Sequence, residues 1–348
     1  MYTGTKRILK ISIAIFLLSL PLIIVFIINY IKVPDNSQQT ETIAVIIPRG
    51  VSLQVVADTL LQKKLITDKD LFILWVTTMG MDRSIKAGYY DVPLGLNHAQ
   101  LVRYLAQAQA KEIKVTLLEG WNLKQVALEL ANTLDLDQGK FLTLTKDATF
   151  IKDLGINAVT LEGYLLPDTY FFYWGIEEKQ VISLLVQQCL DIFNSEVMVR
   201  LDSLNMTPHQ IITLASIIEG EAIYDDERDI ISAVYHNRLK RKIKLQADPT
   251  IQYILDGPPR RLLYKDLEID SPYNTYKYYG LPPGPINNPG KKSILAAIYP
   301  AKTDYLYFVA KGDGRHTFTH SAAQHAREKA KFNKIRREVY RGKNSQNK

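Results

Sequence analysis

The chain opens on an unbroken apolar run. Ile11 to Ile28 carries no charge and follows Lys6, Arg7 and Lys10. Such a run suffices to cross a bilayer, which takes about 20 residues of helix at 1.5 Å each. Pro21 would kink the helix without breaking the span. A cleavable signal peptide would have a shorter apolar stretch and a small-x-small site, and Asn29 to Pro34 offers none. A retained transmembrane helix is therefore expected over 11–31. The basic flank, 1–10, should stay cytoplasmic, with the remaining chain facing outward. Pro34 to Thr42 is polar and short, so 32–42 reads as a linker.

Beyond the linker the pattern becomes periodic. Ile43 to Ile47 reads as a strand and Pro48-Arg49-Gly50 as a turn. Leu53, Val56, Ala57, Leu60 and Leu61 recur at helical spacing. Asp70 to Met79 reads as a second helix and Gly88 to Val92 as a strand, and Asn97 is a cap for a helix through Leu105. The first unit has an echo. Ile46–Leu60 aligns with Thr116–Leu130 at constant offset, pairing Gly50 with Gly120, Leu53 with Leu123, Val56 with Val126, Ala57 with Ala127 and Leu60 with Leu130. Two copies do not make a solenoid, and shared ancestry and a recurring strand–turn–helix unit both stay open. The first copy resembles LysM-type glycan-binding modules in its proline–glycine turn before an apolar helix. A LysM-like α/β subdomain is thus expected over 43–110, and a second strand–turn–helix unit over 111–155.

The stretch Met206 to Arg228 organises the C-terminal half of the chain. Thr207 and Pro208 form a helix start, and Ile211, Leu214, Ile217 and Ile218 place one apolar face on a core. Glu219 ends that face, with Gly220 marking an expected bend and Glu221 after it. A carboxyl set against apolar side chains has its charged form disfavoured, which is what a general acid near neutral pH requires. Most glutamates at helix ends are instead solvated or structural, so this position alone does not decide. Ile182 to Phe193 and Val234 to Leu239 read as helices, Ser293 to Ile298 as a short one, and Tyr305 to Ala310 with His316 to Thr319 as a hairpin. Leu245 to Tyr253 and Asp270 to Gly290 read as loops, the second holding five prolines and three glycines. Ala326 to Lys348 carries nine Lys or Arg against two Glu, a solvated basic helix and tail. Strands and helices in this order make an α+β protein.

Composition narrows the chemistry. A net charge of +7 over 348 residues suits an anionic partner. Nucleic acid is not expected, because no zinc finger, nucleotide-binding glycine loop or RNA-binding signature is present. The lone Cys189 rules out an internal disulfide and sits in an apolar helical pattern. His316, His320 and His325 lie close in sequence, but His316 falls in a strand pattern and no HExxH occurs, so no metal and no cofactor are expected. There is no GxSxG, and Ser216 lies within the apolar helix, which argues against a serine hydrolase. Carbohydrate chemistry fits better. Tyr273-Asn274-Thr275-Tyr276, Gln246, Asp248, Thr250 and Tyr253 supply rings for stacking on sugar faces and amides and hydroxyls for their polar edges.

Ordered motifs then carry a resemblance. LEGYLLPDTY (161–170), ASIIEGEA (215–222), the 228–239 segment ending HNRL, LQADPTIQY (245–253), SPYNTYKYYGLPPGPINNPG (271–290), YPAKTDYLYFV (299–309) and HTF (316–318) resemble the YceG-like (MltG) family of membrane-anchored endolytic murein transglycosylases. The resemblance implies a mixed α+β catalytic domain over 156–325 and Glu219 as the catalytic acid. The family glutamate usually begins an E-x-E-T segment, and here Ala222 replaces the threonine. It also implies cleavage between N-acetylmuramic acid and N-acetylglucosamine in nascent peptidoglycan strands, leaving 1,6-anhydro ends. Gln246, Asp248, Asn274, Tyr276 and Glu221 would bind substrate, with Glu162 in support. The chain would sit in the inner membrane with its catalytic domain outside, beside peptidoglycan polymerases. A water-using muramidase and a non-catalytic wall-binding protein remain the alternatives.

Overall fold

The computed structural model describes residues 41–346 except 49, 83, 108–110 and 256, together with 19–21 and 23. The expected transmembrane segment, apart from those four positions, and residues 1–10 and 32–40 lie outside the described residues. Among the described residues no helix is long and apolar enough to cross a membrane. The chain divides into two compact units, one of Met1–Ile113 with Phe171–Ile176 and one of Lys114–Tyr170 with Glu177–Lys348.

The first unit contains β1 (Thr42–Ile47), α1 (Leu53–Gln62), α2 (Lys69–Thr78), β2 (Gly88–Pro93) and α3 (His98–Gln107). β1 and β2 pair antiparallel from Thr42 opposite Pro93 to Ile47 opposite Gly88. Alternation buries Val45 and Ile47 on one face, where they meet Val56, Ala57 and Leu60 of α1, Phe72 of α2 and Leu101 of α3. Asn97 caps α3 as expected. Its Oδ1 accepts the Gln100 N–H at 2.8 Å and Gln100 Oε1 accepts the Asn97 N–H at 3.0 Å.

The next elements are β3 (Glu112–Thr116), α4 (Leu123–Leu134), α5 (Gln138–Leu144), α6 (Ala148–Asp153), β4 (Thr169–Tyr173), α7 (Glu178–Leu190) and α8 (Ser195–Leu204). The sequence echo is structural: both glycines turn the chain in the left-handed region, Gly50 at φ +70° and Gly120 at +78°, and both are followed by a helix. α9 (Pro208–Glu221), a 3₁₀ turn (Asp225–Glu227), α10 (Arg228–Lys240), α11 (Asp248–Ile254) and α12 (Lys291–Ile298) come after these. Last come β5 (Tyr307–Ala310), β6 (His316–Thr319) and α13 (Ala322–Gln346), with β5 and β6 forming the expected hairpin.

α9 is the axis of the second unit. Thr207 caps it by accepting the Gln210 N–H, and Gln210 returns a bond to the Thr207 N–H at 2.8 Å. The sequence pattern predicts one apolar face, but every side chain from Ile211 to Ile218 is buried, as befits a helix enclosed all round, here between α10, α11 and α12. Two further expectations change. α9 continues as helix through Gly220 to Glu221, and a Cβ at Gly220 would come within 2.6 Å of Pro249 Cβ, so the glycine serves close approach. The stretch read as a loop at 245–253 holds α11, with Pro249 in its first turn.

Candidate active site

Glu219 lies in the last turn of α9. Where the sequence suggests an apolar setting, its carboxyl meets polar partners. Its Oε1 accepts a bond from Arg228 Nη1 at 3.1 Å, and its Oε2 accepts the Gly290 N–H at 3.0 Å. The side chain is 6% exposed, and that of Arg228 7%. Arg228 opens α10 directly after the 3₁₀ turn and gathers further partners. Its Nε donates to Asp225 Oδ1 at 3.0 Å, Nη1 also donates to the Ser293 hydroxyl, and Nη2 lies 3.7 Å from Glu119 Oε2. Asp225 in turn pairs with Lys292. Glu119 is the outer member of this cluster, with its side chain 45% exposed. It covers Gly290 so closely that a Cβ there would collide with its carboxyl.

One buried residue, Asn288, stitches the loops around Glu219. Its Oδ1 accepts the N–H groups of Gly163 at 2.9 Å and Leu165 at 3.0 Å. Its Nδ2 donates to Trp121 O at 2.9 Å and Glu162 Oε1 at 3.3 Å. Its backbone pairs with both Gly120 and Trp121. The Glu119–Trp121 turn, the Glu162–Leu165 turn and the Gly290 loop are thereby held in one register. Glu162 also accepts the Leu123 N–H at 3.1 Å, at the start of α4. Burial nevertheless pushes its carboxyl up to about 8, against the opposing pull of that N–H.

Glu221 belongs to a different cluster. Residues two apart on a helix do not share a face, and the Glu221 carboxyl accepts the Tyr235 hydroxyl at 2.9 Å. Burial pushes it up to about 7, offset by the Tyr235 hydroxyl and Arg238 and reinforced by Asp248. Asp248 accepts the Tyr276 hydroxyl. Of the sequence candidates, then, Glu221, Asp248 and Tyr276 are brought together on the flank of α9 away from Glu219. Gln246 is exposed at φ +50°, its N–H bonded to Thr275 O at 3.1 Å. Asn274 is wholly buried. It donates to Leu267 O and Ile269 O and accepts the Tyr276 N–H at 2.9 Å, so its amide builds the loop and has no group left for a ligand. Tyr253 and Tyr273 form a ring pair 4.9 Å apart, and Tyr264 and Tyr279 stand exposed on the same loop region.

Glu119, Arg228, Tyr235, Asn288 and Ser293 are the site residues that reading the sequence missed. The one signal was glycine: Gly120 and Gly290 flank the points where carboxyls approach backbone. A cavity of about 910 Å³ lies elsewhere, at the opposite end of α9, lined by His209, Gln210, Lys240 and Pro283 among others. From His209 to Glu219 the helix rises about 15 Å. The cavity's histidines are already engaged, His209 with Tyr164 at 2.8 Å and Pro283 O at 2.9 Å, and His236 with Ala297 O at 2.8 Å. No carboxyl lines it. The carboxyls thus gather around Glu219 and on the Glu221 flank, not at this cavity.

A sequence model of the YceG-like family matches residues 45–331. The chain is 35% identical over 318 residues to the endolytic murein transglycosylase of Bacillus subtilis (strain 168), covering 86% of this chain and 87% of that one. It is 28% identical over 333 residues to the endolytic murein transglycosylase of Streptococcus pneumoniae (strain ATCC BAA-255 / R6), covering 85% of this chain and 59% of that longer protein. A crystal structure of a yceG-like protein from Listeria monocytogenes matches with a TM-score of 0.58 at 34% identity, covering 83% of this chain and 99% of that one. With the family pattern running through every element that builds the Glu219 cluster, the chain belongs to the YceG-like family.

Proposed function

We propose that this chain is an endolytic peptidoglycan lytic transglycosylase with Glu219 as its acid and base. The observation that carries the reading is a buried carboxyl in the last turn of a buried helix, clasped by a guanidinium and a backbone N–H, in a chain similar along most of its length to proteins named for that activity. Protonated Glu219 donates to the glycosidic oxygen between N-acetylmuramic acid and N-acetylglucosamine. The bonds from Arg228 and Gly290 strengthen as the carboxylate forms, which favours the transition state over the ground state. The carboxylate then takes the proton of the muramoyl C6 hydroxyl as its oxygen closes on C1. The product is a 1,6-anhydro end, with no water consumed. Gln246, Asp248 and Tyr276, with the exposed tyrosines, are assigned to holding the strand, and Glu221 to supporting that flank.

The same reading gives the chain an inner-membrane anchor at 11–31, a linker at 32–42, a LysM-like glycan-binding unit at 43–110, a second strand–turn–helix unit at 111–155, a catalytic domain at 156–325 outside the membrane and a basic tail at 326–348. Beside polymerases that extend new strands, it would set where strands end. An ordinary glycosidase needs a second carboxylate at a defined separation. The carboxyls of Glu221 and Asp248 are engaged in the other cluster, with Tyr235 and Tyr276. The test is mass spectrometry of products from purified peptidoglycan in ¹⁸O-labelled water. Anhydro ends without label, lost in Glu219→Gln, are expected. Labelled reducing ends would establish a hydrolase, and full activity in Glu219→Gln would remove the mechanism.

A further inference from the structure

Resting on that reading, we propose that His316 is a positioning residue for the reaction: by gripping Glu227 it fixes the 3₁₀ turn that delivers Arg228 to Glu219. Arg228 stands on that turn twice. Its N–H bonds to Asp225 O, and its Nε donates to Asp225 Oδ1 at 3.0 Å. A guanidinium at the tip of a long side chain goes where its backbone aims it. The bond from Arg228 Nη1 to Glu219 is therefore only as well placed as residues 225–227. Those residues form a single 3₁₀ turn between the end of α9 and the start of α10. Such a turn is a poor anchor by itself, because its hydrogen-bond geometry is less favourable than that of an α-helix.

The β5–β6 hairpin supplies the anchor. His316, the first residue of β6, meets both oxygens of Glu227. Its backbone N–H donates to Oε1 at 3.0 Å, and its Nδ1 lies 2.9 Å from Oε2, the tautomer with Nδ1–H being the one a carboxylate selects. Both side chains are enclosed, His316 at 10% exposed and Glu227 at 7%. The imidazole is itself held edge-on to the Phe308 ring of β5, with centroids 5.2 Å apart. Two outer contacts join the same segments. Arg315 Nη1 donates to Asp226 Oδ2 at 2.9 Å, and its guanidinium lies 4.3 Å from the centre of the Tyr224 ring. The Arg315–Asp226 pair is exposed to solvent and weakly restraining, so the enclosed His316–Glu227 contact carries most of the restraint. A carboxylate held through both oxygens can neither rotate nor slide, and Glu227 immediately precedes Arg228. Both of those oxygens are turned to the hairpin, so the pair acts on Glu219 through Arg228.

The experiment measures kcat and KM for the full chain cleaving purified peptidoglycan strands, in wild type, His316→Phe, His316→Asn and Glu227→Asp, with a crystal structure of each protein. His316→Phe keeps a ring against Phe308 and removes the side-chain donor. His316→Asn returns an N–H at the place of Nδ1. Glu227→Asp keeps the charge and withdraws the carboxyl by one methylene. In His316→Phe and Glu227→Asp, kcat should fall at least about tenfold, since misplacing a group at the reacting centre by about 1 Å can cost a hundredfold. KM should stay within about twofold, because the strand-binding surface is untouched. Arg228 Nη1 should move out of hydrogen-bond reach of Glu219. His316→Asn should recover most of the lost kcat even where the missing ring lowers its thermal midpoint. A purely structural role predicts the reverse, a lower midpoint with kcat per folded molecule unchanged. Wild-type kcat in folded His316→Phe, a kcat loss with Arg228 still bonded to Glu219, or no recovery in His316→Asn would each overturn the proposal. If His316→Phe does not fold, Glu227→Asp decides on the same kcat and the same contact. Glu219→Gln separates the two levels: if active, it removes the transglycosylase reading, while the Arg228–Glu219 contact in the variant structures is read without any assay.

Discussion

Glu162 offers the sharpest test of how the site is held together, because its protonation is coupled to folding. Burial raises its carboxyl from the ordinary 4.5 to about 8. Between those values the folded chain keeps a proton that the unfolded chain releases. By linkage, stability is greatest below pH 4.5 and falls as pH rises through 8, with the loss complete above it. At about 1.4 kcal/mol for each pH unit, Glu162 alone should remove roughly 3 kcal/mol between pH 5 and pH 7.5. Glu221, raised to about 7 by burial, acts with the same sign and should remove roughly 2 kcal/mol more. Glu162→Gln keeps a carbonyl oxygen for the Leu123 N–H and the Asn288 amide but never ionises. The variant should therefore lose only about 2 kcal/mol over the range in which wild type loses about 5. The absolute stability of the variant also depends on whether its new N–H groups find acceptors, about 1–3 kcal/mol if one does not, so the slope is the quantity to compare. Urea unfolding of both proteins at pH 5, 6, 7 and 7.5, at constant ionic strength, measures it. Parallel pH profiles would refute the reasoning and mean that the N–H donors outweigh burial, leaving Glu162 ionised in the folded protein.

Two other substitutions probe the same frame. Asn288→Ala leaves the Gly163 and Leu165 N–H groups buried without an acceptor, at about 1–3 kcal/mol each. We predict a clear drop in the thermal midpoint with turnover falling alongside it, and an unchanged midpoint would show that the loops hold without the amide. Gly290→Ala drives a methyl into the Glu119 carboxyl, a strain of about 1–3 kcal/mol that displaces either Glu119 or the N–H bound to Glu219. Peptidoglycan cleavage should fall at least about tenfold, since one lost donor to a reacting carboxyl is worth about that much or more. A variant with normal turnover would show that the Gly290 contact is not needed.

The parts of the fold that could be read from sequence are those specified locally. The start of α9 stems from Thr207, Pro208 and Gln210, which form the cap among themselves. The β1 strand and the Gly50 turn need no information from elsewhere. The full burial of α9 was hidden because Thr213 and Ser216 interrupt its apolar pattern. Their hydroxyls donate to the carbonyls of His209 and Thr213, each at 2.7 Å, which makes them inexpensive to enclose. α11 was hidden for the opposite reason. Seven residues give less than two full periods, and its proline reads as a breaker unless the helix is known to begin there.

At the site, Glu219 was legible because a carboxyl ending an apolar run is itself a local anomaly. Its environment was not, because Glu119 and Gly290 come from distant parts of the chain and Arg228 from across a turn. Asn274 and Asn288 make the same point in opposite directions. Both are asparagines in proline- and glycine-rich loop, and both are fully buried. By composition either could be a sugar reader or a turn former, yet Asn274 closes only its own loop while Asn288 joins three segments around the acid. What separates them is the identity of the carbonyls and N–H groups within reach, which tertiary packing alone decides. The gathering of Glu119, Asp225, Arg228 and Lys292 about Glu219 has the same origin, because these side chains come from separate segments that only the tertiary fold brings together.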